Sequence, residues 1–313
     1  MATLPLMAVA ILVFMQADFS SARTPASPPG GTLIIADLRG ERITLYDLQA
    51  GGVAKVLALP GPPHELVEAG GRLVISLGRR EAVVEVDVHA PGILRMIHLD
   101  GEPHGLAVRD GELLVTLDKA NALVTLDISA FREVGRSGTG ATPHAVAVAG
   151  STTYVTGAAD GNLREMSSGI VVKTGAKPES VTIAGDYVVT ANAWGRSLSV
   201  FRRRDLSRVG DVALKGIPVR VVALPGGEVA VALSDAGEVA IVDVAGLRVR
   251  KSVPVAARPD GICLSPGGEY VAVASNGDGR VDMFQLPAWR PVAALEAGAG
   301  PGSCLWMENG PGN

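Results

Sequence analysis

From residue 31 onward the chain alternates short apolar runs with polar turns, and no run keeps a helical period over three turns. The runs come in sets. A Pro at 63, 103, 143, 178, 218, 259 and 301 opens each set, in steps of 40, 40, 35, 40, 41 and 42 residues. After the Pro comes a first run: "PHELV", "PHGLAV", "PHAVAV", "PESVTI", "PVRVVAL", "PDGICL" or "PGSCLW". A turn such as "RDGE" or "SPGGE" leads to a second ("LVISL", "LLVTL", "YVAVA"). A polar loop leads to a third that alternates strictly ("AVVEVDV", "EVAIVDV"), and a fourth ("GILRMIHL", "RKSVPV") returns to the next Pro. Strict alternation marks strands with two differently packed faces. A Pro suits the first position of a strand, where its missing N–H costs least. Four strands recurring every 40 residues or so is the period of a β-propeller blade.

The two ends set the blade count. The chain enters the pattern at "GTLIIAD" (31–37), which matches the second run of a unit; "RITLYDL" (42–48) matches the third and "VAKVLAL" (53–59) the fourth. It leaves with a lone first run, "GSCLWM" (302–307). Three N-terminal strands and one C-terminal strand complete a seventh blade, which ties the ends by backbone hydrogen bonds and leaves no open edge at the junction. The predicted fold is therefore all-β: one seven-bladed β-propeller over 32–308, four antiparallel strands per blade, without an internal domain boundary.

"TTYVTGAADGNL" (152–163), "GDYVVTANAWGRSLSVF" and "GEYVAVASNGDGRVDMFQL" resemble the YVTN-repeat β-propeller family, and "GEPHGLAVRDGELLVTLDKANALVTLDI" (101–128) follows that family's unit nearly throughout. The resemblance covers about residues 31–307. It implies a quinoprotein-dehydrogenase-like seven-bladed ring and an exported bacterial protein, and it says little about activity. The Gly-His/Trp-Asp punctuation of WD40 blades and the tryptophan-docking motifs of pyrroloquinoline-quinone enzymes are both missing from the sequence.

The N-terminus agrees with export. Leu4 to Phe14 form a short apolar core, and Ser20-Ser21-Ala22 supplies the small residues that signal peptidase prefers, although no Lys or Arg precedes the core. We expect a cleaved signal over 1–22, a flexible Pro/Gly leader over 23–31, a tail over 309–313, and a periplasmic or secreted location. Eleven apolar residues are too few for a stable membrane anchor. A net charge of −4 offers no basic field for nucleic acid. Cys263 and Cys304 are too few for a disulfide framework and read as two small buried hydrophobes, with a disulfide or a reactive thiol as the alternative.

The chemistry concentrates where the repeats converge. The first strand of each propeller blade lies nearest the axis, so the residue after each Pro falls at one mouth of the central channel. In blade order these are His64, His104, His144, Glu179, Val219, Asp260 and Gly302. Neutral imidazole ligates zinc, copper and iron, and three His with a carboxylate or water is a recognised metal set. His64, His104, His144, Glu179 and Asp260 are therefore the candidate ligands of a divalent transition metal. The alternative is that the repeat alone accounts for three copies of Pro-His. The loops between second and third strands share this face and bring Arg39, Arg79, Arg80, Lys119, Trp194 and Arg196 to its rim. Arg220 stands on a first strand where other blades have Glu65, Gly105, Ala145, Ser180, Gly261 or Ser303. We expect it to reach Glu179 or Asp260 across the channel, or to contact a ligand. With Trp194, Arg196, Arg79 and Lys119 it forms the candidate ligand-binding set.

No G-x-S-x-G elbow, P-loop or H-E-x-x-H motif occurs. The function that follows is a monomeric, exported binding module presenting its top face and channel to a protein or small ligand. The alternative is a metal-dependent enzyme, or an accessory protein for a metallocofactor or a dehydrogenase, that uses the three axial His.

Overall fold

The computed structural model describes residues 30–90 and 92–308. The expected signal, residues 23–29 of the leader, and the tail lie outside the described residues. Seven four-stranded antiparallel sheets account for the architecture, and one 3-10 turn at Gly78–Arg80 is the sole helical element among the described residues. The sheets follow the chain: blade 1 spans 66–98, blade 2 103–138, blade 3 143–173, blade 4 178–213, blade 5 218–254 and blade 6 259–296. Blade 7 pairs the strand Pro301–Met307 with Thr32–Asp37, Arg42–Asp47 and Gly52–Ala58. First strands of successive blades contact one another all round, including the seventh with the first, which closes the ring.

The burial pattern explains the blades. Second strands such as Glu112–Leu117 ("ELLVTL") and Glu228–Leu233 ("EVAVAL") are buried at every position after the first, because a sheet lies against each face. Fourth strands such as Arg248–Pro254 are almost wholly exposed. The core is accordingly divided into apolar layers between neighbouring blades. One joins Leu198 and Val200 of blade 4 to Val229 and Val231 of blade 5, and another joins Ile34 and Ile43 of blade 7 to Ile75 and Val84 of blade 1. Blade 3 departs from the others. Its third and fourth strands shrink to Asn162–Glu165 and Val171–Lys173, which is where the 35-residue step loses its residues.

The junction is fastened four ways. Blade 7 forms its inner ladder between the two ends of the described chain, from Thr32 against Met307 to Asp37 against Pro301. Asp37, fully buried, accepts the amides of Gly40 and Gly300 at 2.9 and 3.0 Å and pairs with Arg42. At the margin of the ring Trp306 Nε1 donates to the Gly30 carbonyl at 3.0 Å. The fourth fastening corrects the sequence reading: Cys263 and Cys304 are not two free buried hydrophobes but a disulfide, joining the inner strands of blades 6 and 7. Forty-one residues separate them in sequence, yet adjacent inner strands lie side by side, so their Cα atoms are 5.8 Å apart. No helix among the described residues is long and apolar enough to cross a membrane.

Candidate metal centre

In blades 2 and 3 Pro-His sits at a break in its ladder, and in blade 1 it precedes the first strand, Leu66–Ala69. In blade 2 the register between first and second strands shifts between Pro103 and Leu106, and in blade 3 between Pro143 and Val146. A bulge of this kind re-aims side chains and leaves backbone groups without ladder partners. Those groups are recovered by a hydroxyl from the second strand. Thr116 Oγ1 accepts the Gly105 amide at 2.8 Å and donates to the His144 carbonyl of the next blade at 2.9 Å. Ser76 Oγ does the same one blade earlier, accepting from Glu65 N at 3.0 Å and donating to the His104 carbonyl at 2.7 Å. Gly105 completes the arrangement, since a Cβ there would lie 2.6 Å from the His144 carbonyl. The His104 and His144 backbones are thereby each pinned to the preceding blade, while His64 N donates to the Ser76 carbonyl at 2.8 Å.

The imidazoles consequently form a column. The His64 and His104 ring centroids are 3.7 Å apart, those of His104 and His144 are also 3.7 Å apart, and His64 to His144 is 6.5 Å. The rings are tilted at 51° and 35° across the two contacts, not stacked flat. Burial holds the middle ring, His104, well below the ordinary imidazole pKa, and proximity to His64 and His144 adds to that depression. Neutral imidazole is the form that ligates metal. The Nδ1 atoms of His64 and His104 and Oδ1 of Asp118 are buried without a hydrogen-bond partner, which is costly for polar atoms and rare in native proteins.

Two sets of donors form, sharing His104: His64, Glu65 and His104, and His104, Asp118 and His144, with the ligating atoms of each set within 4.8 Å of one another. Zinc with bonds of about 2.1 Å holds its donors about 3.4 Å apart, so closure needs shifts on the order of an ångström, within reach of side-chain rotation. The donor chemistry fits a borderline metal such as zinc or copper. The second set has the freer carboxylate. Asp118 Oδ2 lies 3.4 Å from His144 Nδ1 and its other oxygen is unpartnered, whereas both oxygens of Glu65 are bound by Arg220 at 2.7 and 3.0 Å, and Ser303 Oγ donates to one of them at 3.2 Å. The His64 to Glu65 separation of 3.9 Å is an electrostatic contact and too long for a hydrogen bond. Burial pushes the Glu65 carboxyl up, but Arg220 and His64 outweigh it and hold the group below the usual carboxylate range.

The structure thus brings together His64, His104 and His144 and leaves Glu179 and Asp260 out of both donor sets. Glu179 pairs with Lys177 at 2.5 Å, and Asp260 accepts the Asn276 amide at 3.2 Å. The carboxylates beside the imidazoles are Glu65 and Asp118, which sequence reasoning passed over. Asp118 had a legible signal: it sits in the loop "LDKANA", on the same face as the Pro-His positions and one blade before His144. Arg220 does cross the channel, from blade 5, but to Glu65 of blade 1 and not to Glu179 or Asp260. The rim residues are spread out. Lys119 pairs with Glu102, Arg196 with Asp235 at 2.7 Å, and Arg39 donates to the Asn276 carbonyl. Arg79 is exposed in its 3-10 turn. Trp194 is 74% exposed, with Lys177 Nζ 5.1 Å from its ring centroid. A separate cleft of about 600 Å³, lined by Tyr154, Glu165 and Arg202–Leu206 among others, is built from loops of the opposite face and shares no residue with the imidazoles.

These features define the class: a seven-bladed β-propeller with a polar, imidazole-lined channel. No family model matches the chain, and no curated protein matches it in sequence. Solved structures do match in shape. A functionally unknown protein from Desulfotomaculum acetoxidans has a TM-score of 0.75 at 12% identity, over 89% of this chain and 99% of that one. Apo AztD from Citrobacter koseri gives 0.67 at 14%, over 88% and 98%. A streptogramin B lyase gives 0.68 at 14%, over 82% and 93%. Identities this low establish a shared fold, the one the YVTN resemblance implies.

Proposed function

We propose that this protein is an exported metal-binding propeller that takes one divalent transition metal, zinc or copper, at the mouth of its channel. His104, His144 and Asp118 are the primary ligands and His64 stands beside them. A single observation carries the reading. Three imidazoles from three blades meet, and the Nδ1 atoms of His64 and His104 and Oδ1 of Asp118 are buried with nothing to bond. Repetition of Pro-His explains the residues but not the orphaned atoms. Export is supported by the disulfide, since such bonds persist mainly in oxidising compartments, and by the apolar N-terminal sequence.

Calorimetric titration of chelator-stripped, tag-free protein with zinc and with copper(II) tests the reading. We expect one site per chain, lost in His104→Ala while the melting temperature is kept. Absence of binding above background at neutral pH rejects it. Trp194 favours one addition. A mostly exposed Trp on this face, with Lys177 against its ring, suits a contact with the partner that delivers or receives the metal. Trp194→Ala is then expected to leave metal affinity unchanged and to slow metal exchange with the partner.

A further inference from the structure

The face opposite the imidazoles carries a cleft of its own, and the short blade creates it. In blade 3 the second strand, Thr152–Gly157, has six residues, but the third, Asn162–Glu165, has four. Their pairing runs only from Gly157 against Asn162 to Tyr154 against Glu165, so Thr152 and Thr153 have no third-strand residue opposite them. In blade 4 the same two strands pair over all six positions, out to Tyr187 against Arg202. The missing end of blade 3 leaves a cleft of about 600 Å³ against blade 4, within the size range of small-molecule sites.

The blade 4 wall is preformed. The Tyr154 hydroxyl donates to the Arg203 carbonyl at 3.1 Å, and Leu206 is buried. Asp205 accepts the amide and the hydroxyl of Ser207 at 2.9 and 2.6 Å. The charges of the lining divide into committed and free. Glu165 accepts the amides of Ser167 and Ser168 at 2.9 and 3.2 Å, and Arg204 donates to Asp205 at 3.2 Å. The guanidiniums of Arg202 and Arg203 and the carboxylate of Asp186 line the same cleft without an ion-pair or hydrogen-bond partner among the described residues. Ile170 adds an exposed apolar side chain. Three arginines stand against Glu165, Asp186 and Asp205, so the lining is formally neutral and favours neither a bare anion nor a bare cation.

We propose that this cleft binds a small zwitterion, an apolar α-amino acid or its dipeptide, with the carboxylate on Arg202 and Arg203, the ammonium on Asp186 and the apolar side chain against Ile170. Guanidinium forks match carboxylate geometry, and two of them suit one anionic head. A simple anion would leave Asp186 facing like charge, and a simple cation would meet two guanidiniums. A ligand carrying both signs satisfies all three free groups. The cleft shares no residue with the imidazoles, so this inference goes beyond the metal-binding reading and does not depend on it.

The test is calorimetric titration of the full chain with L-leucine and with leucyl-leucine. Each is compared with analogues that lack one charge: 4-methylpentanoate and 3-methylbutylamine for leucine, the N-acetyl and C-amide forms for the dipeptide. We expect saturable binding of at least one zwitterion at millimolar concentration or below. Both of its analogues should bind about tenfold more weakly or worse, because each loses a charge-assisted hydrogen bond. The variants are the double change Arg202→Gln with Arg203→Gln, and Asp186→Asn. All three side chains are exposed, so the melting temperature of the free protein should hold. The double variant should lose about tenfold in zwitterion affinity and no longer reject the analogue without a carboxylate. Asp186→Asn should no longer reject the analogue without an ammonium. Zinc titrations should be unchanged in both. Equal binding of zwitterion and carboxylate analogue to wild type would make this a plain anion site and overturn the proposal. So would the lack of saturable binding of either zwitterion, or binding that survives both variants.

Discussion

Thr116→Val isolates the hydroxyl latch that holds two of the imidazoles. Valine has nearly the shape of threonine, so packing at this fully buried site is preserved and only the hydroxyl is lost. Two backbone groups then lose their partner: the Gly105 amide, which donates to Thr116 Oγ1, and the His144 carbonyl, which accepts from it. Both belong to bulges where the ladder supplies no replacement. A buried unsatisfied polar group costs about 1–3 kcal/mol, so the pair should cost about 2–6 kcal/mol. Thr116→Ser is the control. It keeps the hydroxyl and removes one methyl group, for about 1 kcal/mol. Urea denaturation followed by the fluorescence of buried Trp289 and Trp306 measures both variants against wild type. Thr116→Val should be the less stable of the two by more than about 1 kcal/mol, and it alone should also weaken zinc binding, because the strands that carry His104 and His144 lose their latch. Equal stability of the two variants would mean that packing, not the latch, holds these strands, and would refute the account of how the column is built.

Gly105→Ala drives a Cβ to within 2.6 Å of the His144 carbonyl and should cost about 1–3 kcal/mol by forcing blades 2 and 3 apart; an unchanged denaturation midpoint would contradict the close approach. Replacing both Cys263 and Cys304 by Ala removes a cross-link over 41 residues, for which loop entropy predicts a loss of about 4 kcal/mol, and dithiothreitol should lower the wild-type midpoint and leave the double variant unaffected. His104 makes metal-free protein sensitive to acid. Its folded-state pKa lies below its unfolded value, so the unfolded chain binds the extra proton. The penalty is nil above the ordinary imidazole pKa of about 6.5 and grows as pH falls below it. Urea midpoints should therefore drop between about pH 6.5 and 5, and less so in His104→Gln; identical pH profiles would show that this ring is not the source.

The ring was legible in the chain because a propeller is local at every step but one. Each blade is a meander of neighbouring strands, so period, alternation and turn residues specify it without reference to distant sequence. Even the closure followed from counting, since Thr32–Asp37 lacks an inner partner and Pro301–Met307 lacks three outer ones. The Pro-His spacing likewise placed His64, His104 and His144 at one channel mouth.

What the chain could not disclose was which groups meet across blades. The partner of Arg220 is Glu65, 155 residues away, and not the acids on the flanking strands, because the register shift beside Arg220 and the packing of the ring decide the reach. Cys263 and Cys304 stand one repeat apart, and only the side-by-side packing of inner strands turns that interval into bonding distance. Asp118 in place of Glu179 or Asp260 beside the imidazoles is the same kind of fact. Periodic pattern fixes the order and height of elements because those depend on backbone pairing between neighbours in sequence. Contacts around the axis depend on how seven separately specified sheets pack against one another, and that is settled only when the ring closes.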